Sequence, residues 1–276
     1  MKRRNFGIVA LLVLASAELS AHDFWLAASP WRPDPGSRIT VTANVGDRFP
    51  VPTSFTAPER VDRVRIVGPD GEVPVVPQFR RDQNSLATDL ELSRTPGTYV
   101  IVMTIKSRFI EIKAPDFATY LRHEGLEPIV AERAKAGETE RAGRERYSRY
   151  AKAVVRMGDG PADHVTRPLG LSAELVPLSD PSTLRVGQSL TLRLLANAKP
   201  VSGAVVGGIY GSSKGAPDDW PLKARTNQNG EVTFVLEHAG EWLFRSVHMT
   251  RAPDPGSPAA DWESSWASLA FEIQKI

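Results

Sequence analysis

The chain has 276 residues, 41% of them hydrophobic, with 34 basic against 32 acidic side chains and a formal charge of +2. That near balance, with no clustered basic face, argues against a nucleic-acid partner. There is no cysteine, which excludes disulfides, thiolate metal sites, iron–sulfur clusters and a cysteine-linked lipid anchor.

Lys2, Arg3 and Arg4 precede a short apolar run from Phe6 to Ala17, and small residues follow. This is the pattern of a cleaved export signal over residues 1–21. The apolar run falls short of the roughly 20 residues a spanning helix needs. The sequence therefore predicts a periplasmic mature chain that does not span the membrane. Three cleavage points are open. A cut after Ala21 makes His22 the first residue, so that its α-amine and imidazole can chelate one ion together. A cut after Leu19 leaves Ser20-Ala21-His22, whose amine, amides and imidazole suit square-planar Cu(II) or Ni(II). A cut after Ala17 fits the small-x-small rule best and leaves His22 internal. Loss of residues 1–21 removes three basic residues and one acidic residue, leaving 31 of each in 255 residues. That length is enough for two modest cores.

Past the turn residues Arg32 to Gly36, the segment Arg38 to Val45 alternates, with Ile39, Val41, Ala43 and Val45 on one face. This reads as a half-buried strand. Further strands are expected at 61–67, 86–92 and 98–105, separated by Gly/Pro turns, which makes residues 22–113 an antiparallel sandwich. Residues 116–157 are rich in Ala, Glu and Arg. Tyr147, Tyr150, Ala151 and Val154 fall at helical spacing, and Gly125 and Gly143 are expected to break the helices. A helical insertion is therefore assigned to residues 114–168. From Leu171 the alternation returns, with strands expected at 171–175, 190–194, 205–210, 222–226, 232–236, 240–249 and 265–273. Asn229-Gly230 reads as a hairpin turn. Residues 169–276 are then a second sandwich, and the fold class is mainly β, two antiparallel sandwiches with a helical insertion between them.

Several motifs occur together: Ala21-His22-Asp23-Phe24-Trp25-Leu26; the spaced set Phe117, Tyr120, Leu121, Glu124 and Gly125; Arg146-Tyr147-Ser148-Arg149-Tyr150-Ala151-Lys152; Gly240-Glu241-Trp242-Leu243-Phe244-Arg245 with His248-Met249; and Trp262-Glu263-Ser264 with Trp266-Ala267. As a set they resemble an exported family of unknown function described as a periplasmic component of nickel or cobalt uptake. The resemblance covers nearly the whole mature chain. It implies two β-rich domains, the second similar to a prealbumin-like sandwich, and metal handling rather than catalysis. His22 and His248 match the family's recurring histidines.

A cysteine-free site must bind a divalent transition metal (Ni, Co or Cu) through nitrogen and oxygen donors. The candidate set is His22 and His248, with Asp23, Glu263 or Asp261 supplying an oxygen or orienting an imidazole. Each has an ordinary alternative: His248 half-buried beside Trp242 and Phe244, His22 at a loose terminus, Glu263 hydrogen-bonded in a loop. Such a role implies an inner-membrane transporter component as partner. A carbohydrate- or protein-binding module using the tryptophans is the second class, although core packing is the commoner use of that residue. A copper oxidase with an N-terminal histidine brace is the third. The zinc-protease motif His-Glu-x-x-His does not occur, and the chain is read as a non-enzyme.

Overall fold

Alternating β-branched and polar residues put most of the chain into strands in the computed structural model, which describes residues 22–275 apart from 215–218, 255 and 257. The expected signal and its cleavage points lie outside the described residues. The first strands are β1 (Asp23–Ser29), β2 (Arg38–Gly46), β3 (Val61–Gly68), β4 (Gly71–Val75), β5 (Arg80–Asp82), β6 (Ser85–Glu91) and β7 (Gly97–Ile112). Two helices follow, α1 (Ala114–His123) and α2 (Glu127–Lys135). Then come β8 (Gly143–Met157), β9 (Ala173–Pro177), β10 (Ser189–Ala196), β11 (Lys199–Pro200), β12 (Val205–Tyr210), β13 (Leu222–Arg225), β14 (Glu231–Val235), β15 (Gly240–Arg251) and β16 (Trp262–Ile273). Neither helix is long and apolar enough to cross a membrane. The chain is mainly β and sandwich-like, as expected.

The organising element is one eight-stranded sheet in the order β13-β12-β15-β16-β8-β7-β3-β4. It takes strands from all three stretches expected to be separate. The sheet β1-β2-β6-β5 covers its first face, and β10, flanked by β9, β11 and β14, covers its second. The two expected sandwiches thus share their middle layer. Beyond the β1 sheet, α1 and α2 cover the rest of the first face, where Phe117, Tyr120, Leu121 and Ile129 pack on Val247, Met249, Trp262 and Trp266.

Residues 143–157 correct the expected helical insertion. They form a strand, paired antiparallel with β7 and parallel with β16. The helical spacing of Tyr147, Tyr150, Ala151 and Val154 is coincidental. Ala151, Ala153, Val155 and Met157 enter the first core, whereas Tyr150 and Val154 enter the second. Both faces are covered, so the period-2 signal is filled in on each side and looks helical. Gly125, with φ of 70°, does end α1 as expected. Gly143 instead opens β8, where any Cβ would collide with the Phe117 ring.

The Asn229-Gly230 turn joins two sheets rather than a hairpin. β13 pairs with β12 in the central sheet, and β14 pairs with β10 in the outer one. Asn227 caps the turn by accepting from the backbone N–H groups of Asn229 and Glu231 at 2.8 and 3.0 Å. The local turn chemistry is as read, but the strands it joins have better partners elsewhere.

Candidate functional site

The predicted metal set is split by the central sheet. In β15, Val247 and Met249 face the helices, so His248 between them points to the opposite face, with Trp242 and Phe244. Its cross-strand neighbours there are Ser265 and, one strand further, Ser148. Burial pushes its imidazole pKa below the usual histidine range. Glu263 shares that second face and pairs with Arg146 at 3.1 Å. His22 precedes β1 on the first face. Asp23 is buried against Arg245 at 2.6 Å, and the same guanidinium bonds Glu124, the residue that follows α1. Asp261 pairs with Arg144 at 2.6 Å. His22 and His248 therefore do not converge, and the second histidine a copper brace needs does not stand with the first. Among the described residues no group of three or more His, Asp or Glu could hold a metal ion. The expected ligand set does not fit the metal. Strand parity separates the histidines, and ion pairs occupy the carboxylates.

All six tryptophans are buried. None offers the exposed stacking face a sugar would need.

What the first face does contain is a cavity of about 490 Å³, left where the β1 sheet ends and the helices begin. Its floor is β7, β8 and β16. Its walls are the loop at residues 54–60 and Tyr120 of α1, and His22 stands at its edge. A bulge builds the floor. The β7–β8 register shifts between Ile105 and Arg108, placing one extra residue on β7. Such an insertion reverses which residues face inward. Odd positions Ile101, Met103 and Ile105 face the first core before it; Arg108, Ile110 and Ile112 line the cavity after it.

On β8, Glu145, Tyr147 and Arg149 alternate onto that floor, directly opposite Trp262, Ser264 and Trp266 of β16. Glu145 is 1% exposed. Its Oε1 accepts from the Tyr120 hydroxyl at 3.2 Å and from the Ser264 hydroxyl, while Oε2 is buried without a partner. Burial pushes its carboxyl up to about 7, against the two hydroxyl hydrogen bonds, which favour the ionised form. Trp266 donates its indole N–H to Ser264 Oγ at 3.2 Å, and its ring stacks with Tyr120 at 6.1 Å and 5°.

Arg149 is the other polar feature of the floor. Its guanidinium lies 5.1 Å from the Tyr147 ring and 5.9 Å from Phe24 and Trp266, and donates to the His22 carbonyl at 2.8 Å. Its Nε is buried with no acceptor, and no carboxylate among the described residues forms an ion pair with it. Burial lowers its pKa. His22 Nδ1 is likewise buried and unpartnered. With Arg60, Arg108 and Arg149 against Glu59 and a Glu145 about half ionised at pH 7, the lining is net positive. Sequence reasoning missed Glu145, Arg149 and Arg108. The signal for the first two was the charge at alternate positions of a strand read as a helix.

The sequence from 19 to 250 matches a protein family described as a domain of unknown function, DUF4198. The chain belongs to the DUF4198 family. All the cavity residues except Trp266 fall inside the matched span of this DUF4198 protein, as do His22 and His248. No functionally curated protein matches it. Among solved structures it is similar to the adhesin InvE of Yersinia pseudotuberculosis, with 11% identity over 91% of this chain and 59% of that one and a TM-score of 0.23. The D0-D1 domain of intimin gives 14% identity, 91% and 98% coverage and 0.19. A Salmonella alpha-2-macroglobulin gives 11% identity, 92% and 16% coverage and 0.25. At such scores none of the three bears on what this DUF4198 protein does.

Proposed function

We propose that this DUF4198 protein is an exported binding protein, not an enzyme, and that it holds a small organic anion in the cavity on the first face of the central sheet. The observation that carries this reading is Arg149, a guanidinium among aromatic rings whose buried Nε has no acceptor. A half-buried cation with no ion-paired carboxylate is costly to keep charged, and a ligand carboxylate supplies both the charge and the hydrogen bonds. The volume is in the range of small-molecule sites, and Ile110, Tyr147 and Trp266 give it apolar walls. In calorimetric titrations phenylacetate is expected to bind at least tenfold more tightly than the uncharged phenylacetamide, and Arg149→Met to abolish the difference. Equal affinity for the two probes in the wild-type protein would sink the reading.

A second reading keeps the metal that the family resemblance implies, now anchored on His22 without His248. It is favoured by the buried, unpartnered Nδ1 of His22 in the same cavity. Cleavage directly before His22 would add an α-amine to that nitrogen, and a transporter component of the inner membrane would be the partner. The three arginines count against a bare dication. On this reading protein purified from the periplasm carries one nickel, cobalt or copper ion, lost in His22→Ala and kept in His248→Ala. Metal analysis finding less than a tenth of an equivalent in the wild type rules it out.

A further inference from the structure

Glu145 and Arg149 share one face of β8 four residues apart, so their Cα atoms are roughly 13 Å apart at about 3.3 Å per residue. Tyr147 lies between them, and all three line the cavity. The strand thus presents an unsatisfied donor at one end of an apolar floor and an unsatisfied carboxyl oxygen at the other. The second is a built feature. Glu145 Oε1 is held by Tyr120 and Ser264, Ser264 is held in turn by Trp266, and this leaves Oε2 buried and without a partner. Buried polar atoms are rarely left so, because the missing hydrogen bond is costly.

Building on the anion reading, we propose that the cavity selects a hydroxylated organic acid, with the carboxylate on Arg149 and a hydroxyl at the far end of its body bonded to Glu145 Oε2. Tyr147 and Trp266 line the cavity with them and supply apolar surface for the body of the ligand. A hydroxyl fits better than an ammonium for two reasons. Arg60 and Arg108 on the same lining repel a cation. A hydroxyl can also donate to the Glu145 carboxylate or accept from its acid form, whereas an ammonium can only donate.

The test compares 4-hydroxyphenylacetate with phenylacetate by calorimetry on the purified protein. The hydroxylated probe is expected to bind at least tenfold more tightly, because the probe lacking the hydroxyl leaves Oε2 unpaired. Glu145→Ala should bring the two affinities together. Glu145→Gln, which keeps an acceptor and a donor at the same place, should fold normally by circular dichroism and keep most of the preference. Equal binding of the two probes to the wild type, or a preference that survives Glu145→Ala, overturns the proposal. If phenylacetate binds through Arg149 and the hydroxyl adds nothing, this inference alone falls. If neither acid binds, the anion reading falls with it.

Discussion

Replacing Glu174 by alanine is expected to destabilise the protein by roughly 3–5 kcal/mol, the range for stripping one partner from a buried ion pair. Glu174 and Lys152 lie between the central sheet and the β10 sheet, with side chains only 1% and 2% exposed and 3.0 Å apart. The carboxylate also accepts the backbone N–H of Leu169 on both oxygens at 2.9 Å. Burial lowers the Lys152 pKa, and the Glu174 charge opposes that shift. Without Glu174 the ammonium has neither water nor a partner, and the chain before β9 loses its anchor. The double variant Lys152→Met, Glu174→Leu removes both charges and should recover more than half of the loss. Urea unfolding at neutral pH measures this. A single-variant loss under about 1 kcal/mol would show that water reaches the pair.

The unliganded protein should also lose about 3 kcal/mol of stability between pH 4.5 and pH 8 through Glu145 alone. Its folded-state carboxyl is pushed up to about 7 from 4.5. Below 4.5 both folded and unfolded states hold the proton, and the group is neutral in stability. Between 4.5 and 7 the unfolded chain releases the proton while the folded one keeps it, so stability falls as pH rises; above 7 the loss is complete. Roughly 2.5 pKa units at about 1.4 kcal/mol each set the size. Glu145→Gln removes this dependence. Thermal or urea unfolding should therefore show the variant gaining on the wild type as pH rises from 4.5 to 8. Parallel pH curves for the two proteins would mean that Glu145 titrates at its ordinary value in both states.

Much of the architecture was legible in the sequence because a strand with one covered face writes its period directly into the residues. Ile39, Val41 and Ala43 in β2, and Leu190, Leu192 and Leu194 in β10, alternate cleanly and are buried as read. The candidate site was much less legible. His22 was singled out for its place after the expected export signal and does line the cavity. His248 was singled out with it, and in a strand one residue of parity sends a side chain to the opposite face. Neither Glu145 nor Arg149 was singled out, because β8 is covered on both sides and its alternation is masked.

By itself the sequence determined the strand-rich class, the turns, the break at Gly125 and the absence of any thiol chemistry, since each depends on residues adjacent in the chain. Only the tertiary structure decided that β16 runs parallel to β8, that a bulge turns Arg108 inward, and that the cavity opens where the β1 sheet stops and α1 begins. The parallel pairing and the junction join residues about 100 or more positions apart, and the bulge is a pairing register; no local pattern encodes such contacts.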